Sequence, residues 1–98
     1  MEKLTGKYET IFIVNATLED DKIAAVVEKF RSVVESNATI EKVEEWGKRK
    51  LAYPIDYMSE GYYVLIAFTS DRDFPTELDR LYNINDAVIR SIIVKVEE

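Results

Sequence analysis

The side chains that could do chemistry are few. There is no cysteine and no histidine, which removes thiol nucleophiles, imidazole bases and the usual zinc ligand sets. What remains is a basic triplet, Lys48-Arg49-Lys50, next to Trp46 and Gly47, isolated cations at Lys7, Arg90 and Lys95, and several tyrosines. Cations beside aromatics suit phosphate or partner recognition rather than bond making. For catalysis, Tyr62, Tyr63 and Asp56 would have to act together, and no second motif supports them. The expectation is no enzyme, cofactor, metal or small-molecule substrate.

The bulk properties bound the partners. A formal charge of −6 opposes phosphate binding by the chain as a whole. Net charge does not forbid a local basic patch, however. Apolar residues at 47% and charged residues at 33% describe a soluble domain, and the length suits one domain over residues 1–98. No apolar run approaches the ~20 residues that span a bilayer, and the opening residues lack a signal-peptide core. A cytoplasmic protein is expected.

The elements that must position these residues are legible from period and punctuation. Tyr8 to Asn15 is a β-branched and aromatic run and reads as a buried strand. Thr17 and Asp20 have the spacing of a helix start signal. Ile23, Val26, Val27, Phe30, Val33 and Val34 then form one apolar stripe of a helix from about Leu18 to Glu35. From Thr39 to Tyr53 the chain reads as strand, with Gly47 marking a bulge and Pro54 ending or edging it. After a loop through Asp56, Ser59 and Gly61, Tyr62 to Phe68 reads as a central strand. Asp73 and Pro75 start a second helix carrying Leu78, Leu81 and Tyr82, and Ala87 to Val96 is the last strand.

The order β-α-β-β-α-β predicts an α+β, ferredoxin-like split-βαβ sandwich: a four-stranded antiparallel sheet with both helices on one face. The strands carry more apolar side chains than one helical layer can bury. Ile11, Ile13, Tyr63, Leu65, Ile89 and Ile93 are expected on the uncovered face, and an exposed apolar sheet face marks a partner surface. An RNA-recognition motif shares this order, but its third-strand signature is absent from Glu60-Gly-Tyr-Tyr-Val-Leu-Ile-Ala67, where only Gly61 and Tyr62 fit.

Glu45-Trp-Gly-Lys-Arg-Lys-Leu-Ala-Tyr-Pro-Ile55 and Asn85-Asp-Ala-Val-Ile-Arg-Ser-Ile-Ile-Val94, with Lys7-Tyr-Glu9 and Glu60-Gly-Tyr-Tyr-Val64, resemble the bacterial small-subunit ribosomal protein six family across nearly the whole chain. The resemblance implies a ferredoxin-like structural protein of the small ribosomal subunit, without catalytic activity or cofactor. It implies pairing with ribosomal protein eighteen and joint binding to the central domain of the small-subunit ribosomal RNA, with ribosomal protein fifteen nearby in assembly.

Trp46, Gly47, Arg49, Leu51 and Tyr53 are then the expected partner interface, and Lys7, Tyr8, Arg90 and Lys95 the expected RNA contacts. Plainer roles stand beside these: Trp46 as a core residue, Lys48-Arg49-Lys50 as a solvated strand end, and Arg90 in a surface ion pair with Glu9 or a neighbour. The first and last strands should be neighbours, gathering Lys7, Tyr8 and Lys95 at one sheet edge, with Arg90 on the opposite parity from Lys95.

Overall fold

The computed structural model describes residues 5–55 and 58–96, with the side chains of residues 5, 51–55, 58 and 59 outside the description. The elements run β1 (Thr5–Asn15), α1 (Asp20–Asn37), β2 (Thr39–Ile55), β3 (Met58–Asp71), α2 (Phe74–Asn83) and β4 (Val88–Val96). They form one four-stranded sheet in the order β2-β3-β1-β4, antiparallel at each pairing. This is the expected split-βαβ arrangement, with β1 and β3 central and β2 and β4 at the edges.

Strand alternation sorts the side chains into two faces. On one, Phe12, Val14, Val64, Ile66 and Phe68 pack against Ile23, Val27, Phe30 and Val34 of α1 and Phe74, Leu78 and Tyr82 of α2. The rings of Phe12, Phe30 and Tyr82 lie with centroids 4.7–5.5 Å apart, so a single aromatic cluster joins both helices to β1. Beneath it, the buried Thr10 hydroxyl donates to the Ile92 carbonyl at 3.0 Å and lies 3.1 Å from the Tyr82 hydroxyl. This polar contact ties α2, β1 and β4 together.

The structure refines some local expectations and corrects others. The first helix starts at Asp20 rather than near Leu18, because Asn15, not Thr17, organises the turn: its Oδ1 accepts from the Thr17 backbone N–H at 2.9 Å and from the Thr17 hydroxyl at 2.6 Å. Asp73 is the N-cap residue of α2 but makes no side-chain cap bond. Asp71 Oδ1 instead accepts the N–H groups of Asp73 at 3.0 Å and Phe74 at 2.9 Å.

Of the two roles expected for Pro54, edging holds and ending does not, since β2 runs past it to Ile55. As an edge strand it has backbone groups facing solvent, where a proline is tolerated, and the β2–β3 pairing continues to Ile55 and Met58. Consequently β3 begins at Met58, ahead of the expected Tyr62. Finally, Ile93 is not on the uncovered face. It pairs with Thr10 and packs against the core, whereas Ile92 pairs with Ile11. A register shift between Ile13 and Val14 leaves Ile89 as the additional residue on β4. With apolar side chains on both parities of that strand, alternation alone could not choose the inward one.

Candidate partner and RNA interfaces

The second sheet face has no helix over it. Register places Arg90, Ile13, Tyr63 and Gly47 in one row across the sheet, with Ile92, Ile11, Leu65 and Glu44 in the next. Ile92 and Val94 are 50% and 47% exposed, high values for aliphatic side chains on a strand. Trp46, Tyr63, Ile11, Ile13, Arg90, Ser91 and Ile92 line one shallow depression here.

The bulge in β2 builds the aromatic end of this face. Trp46 falls in the register shift between Glu45 and Gly47. Gly47 takes φ 80°, a left-handed conformation that glycine enters without a Cβ clash. The indole stacks on Tyr63, with centroids 6.4 Å apart and an interplanar angle of 18°. Its Nε1–H donates to Glu44 Oε1 at 2.9 Å, and the Arg49 guanidinium lies 5.8 Å from the ring centroid in cation–π range. Glu44 also pairs with Lys42 at 3.1 Å. The Trp46 hydrogen bond first, then Lys42, hold its carboxyl below the usual carboxylate range. Trp46 is therefore on the open face and outside the core, 36% exposed.

The basic triplet is not a single patch. Lys48 stands opposite Tyr62 and reaches Asp20 at 3.5 Å, an exposed pair worth little. Arg49 stands on the other face, beside Trp46. Of the expected partner set, the structure brings Trp46, Gly47 and Arg49 together. Leu51 and Tyr53 belong to β2, but their side chains lie outside the described residues.

The expected RNA contacts divide. Tyr8 and Lys95 are paired across β1 and β4 on the helix side. Together with Ile93 and Pro75, Thr76 and Asp79 of α2 they line a groove, and Tyr8 stacks on Phe68 at 5.7 Å. Lys7 is the next residue of β1, exposed and opposite Val96. Tyr8 and Lys95 thus meet on the helix side of the β4 edge, whereas Lys7 has the parity of Ile11 and Ile13 and lies at the same end of the sheet on its open face. Arg90 lies about 16 Å along β4 at ~3.3 Å per residue, on the open face. It is exposed, and among the described residues it has no ion-pair partner, so the plainer alternative of a surface pair with Glu9 or a neighbour is not formed there.

The tyrosines of the enzymatic alternative are on opposite faces. Tyr62 donates to Glu45 Oε1 at 2.8 Å, which with partial burial raises its hydroxyl pKa. Tyr63 is beneath Trp46. Asp56 lies outside the described residues. Two groups separated by a sheet cannot share a reacting atom. Among the described residues, no cluster of three or more His, Cys, Asp or Glu could hold a metal ion, and no helix is long and apolar enough to cross a membrane.

Reasoning from sequence did not identify Ile92, Val94 and Glu44 as parts of the open face. A signal was available: Arg90, Ile92 and Val94 share one parity, so placing any one places all three.

Comparison with known proteins accounts for this architecture. Residues 7–95 match the family described as Ribosomal protein S6. The small ribosomal subunit protein bS6 of Clostridium perfringens (strain SM101 / Type A) is 50% identical over 93 residues, covering 94% of this chain and 98% of that protein. Its counterpart in Clostridium kluyveri (strain ATCC 8527) is 53% identical over 94 residues, covering 95% and 99%. The crystal structure of 30S ribosomal protein S6 from Thermotoga maritima superposes with a TM-score of 0.89 at 29% identity, covering 95% of this chain and 89% of that one. With a match across both edge strands and the bare sheet face between them, the chain belongs to the ribosomal protein S6 family.

Proposed function

We propose that this protein is a structural, non-enzymatic component of the small subunit of the cytoplasmic ribosome, docking ribosomal protein eighteen before the pair engages small-subunit ribosomal RNA. The observation that carries the reading is the uncovered sheet face, where Trp46 is stacked on Tyr63, flanked by Arg49 and continuous with exposed Ile92 and Val94. Trp and Arg lead the residue types that anchor interfaces, and an exposed apolar face of this kind marks an interaction site. Trp46, Gly47 and Arg49, with Leu51 and Tyr53 further along β2, supply the partner contacts.

Lys7, Tyr8 and Lys95, at one end of the sheet, supply RNA contacts. With a formal charge of −6, the free chain has no large positive field to hold phosphates, so the partner completes the site. Ribosomal protein fifteen is a neighbour in the same assembly rather than a direct contact of this face. Filter binding to the central domain of the ribosomal RNA, with and without ribosomal protein eighteen, tests the order of assembly. Tight retention is expected only for the pair. Tight binding by the free protein at ~150 mM salt, near physiological strength, would overturn the proposal.

A further inference from the structure

From the open face we infer the chemistry of its occupant: an apolar segment of the protein partner that carries carboxylates, held by Arg90 on one side and Arg49 on the other. The inference rests on the docking reading above and specifies it.

Arg90 and Arg49 leave the sheet on opposite edge strands. With strands ~4.8 Å apart and ~3.4 Å per residue, their backbone positions are about 16 Å apart, and the floor between them is Ile13, Tyr63 and Trp46, with Ile92, Ile11 and Leu65 alongside. Neither guanidinium has an ion-pair partner among the described residues. The carboxylates of this face do not serve them. Glu44 is occupied by Trp46 and Lys42, and Glu9 lies further down β1, beyond Ile11, beside Lys7. In an acidic chain with many carboxylates to spare, two arginines left unpaired at the rims of an apolar floor are complementary to acidic groups that arrive with the occupant.

The floor decides between kinds of occupant. Apart from Trp46, whose ring is already stacked on Tyr63 and faced by Arg49, the floor is aliphatic and gives bases little to stack on, so a nucleic acid would gain few contacts beyond the two arginines. A polypeptide segment fills the floor with apolar side chains and meets each arginine with a planar, bidentate carboxylate. Arg90, grouped by sequence with the RNA contacts, belongs by position to this surface.

The test turns on the sign of an effect. If an acidic chain simply attracts a basic partner, replacing an arginine by glutamate tightens binding. If the arginines hold carboxylates, it weakens binding. Calorimetry with purified ribosomal protein eighteen as probe would compare the full-length chain with Arg90→Gln, Arg90→Glu and Arg49→Glu, all at exposed positions and each checked for its fold by thermal melting. About tenfold weakening is expected for Arg90→Gln and about a hundredfold for each glutamate. Exchange of an acidic residue of the partner for lysine should restore binding to Arg90→Glu.

Tighter or unchanged binding by the glutamate variants would overturn the inference while leaving the docking reading intact. Weakening confined to RNA binding by the assembled pair would assign the arginines to RNA and overturn it as well. A self-associated free chain that Arg90→Glu dissociates would make the occupant a second copy, and the inference would fall in that case too. Failure of the unsubstituted chain to bind the probe would remove the docking reading itself, and the inference with it.

Discussion

Replacing Thr10 by valine should reveal how the sheet is locked to α2. The Thr10 hydroxyl is fully buried and has one hydrogen, which it gives to the Ile92 carbonyl at 3.0 Å. The 3.1 Å contact with Tyr82 must then run the other way, with the phenol donating. Burial pushes the Tyr82 hydroxyl pKa well up, so the phenol keeps its proton and is available as a donor at any pH used for folding measurements. Thr10→Val removes both bonds and leaves the phenol, 1% exposed, without an acceptor. One lost bond at ~1 kcal/mol and one orphaned buried hydroxyl at ~1–3 kcal/mol sum to about 2–4 kcal/mol of destabilisation. Tyr82→Phe alone removes one bond and orphans nothing, costing ~1 kcal/mol. In the Thr10→Val background, however, Tyr82→Phe deletes the orphan and should recover ~1–2 kcal/mol. Urea denaturation of the four proteins measures this, provided the m values agree. A Tyr82→Phe change that destabilises both backgrounds equally would refute the donor assignment and the coupling.

Gly47→Ala meets nothing within 4 Å of the added carbon, so any loss comes from the backbone at φ 80°, ~1–2 kcal/mol in a urea melt. Acid should erode a contribution from Glu28, whose carboxyl is held below its ordinary range chiefly by the Arg31 hydrogen bond. A lowered folded-state pKa gives stability that is present above the ordinary carboxylate range and lost as pH falls through the lowered value. The difference in urea midpoint between the unsubstituted chain and Arg31→Gln should therefore be present at neutral pH and close on acidification. For RNA, Lys95→Ala measured with the protein partner present should shallow the salt dependence by about one unit across RNA sequences. An unchanged slope would move the phosphate contacts away from the β4 edge.

Most of the fold was readable because the helices announce themselves by stripe and the strands by composition. The three- and four-residue steps from Ile23 to Val34 pick out the residues of α1 that meet the sheet, and Gly47 marked the β2 bulge that the register shows. The errors share one physical source, which is that pairing and capping depend on partners far away in the chain. Pro54 is compatible with a strand's end or with a sheet edge, and only the strand order shows that β2 is an edge. Val88 to Val94 is apolar on both parities, so only the opposing Thr10 and Ile11 determine that Ile93 turns inward and Ile92 outward. The candidate site was legible residue by residue and not as an arrangement. Strand alternation parts Lys48 from Arg49, but nothing in the triplet says that the bulge brings Arg49 rather than Lys48 to the face of Trp46, and nothing near Arg90 points to Trp46 some forty positions earlier.

The pairing of β1 with β4 also constrains when the chain can fold. β1 is made first and β4 after every other element, yet Tyr8 finds its edge neighbour only in Lys95, and Thr10 its buried acceptor only in Ile92. During synthesis the β2–β3 hairpin can zip up by itself, since its strands are adjacent in the chain. The sheet edge at β1, with the apolar row Ile11 and Ile13, stays open until β4 has left the exit tunnel. With β1 held by β3, the connection that β4 closes is the segment through α2, and it comes last. Until β4 docks, the sheet therefore lacks its edge on the β1 side and the Thr10 hydroxyl lacks its buried acceptor.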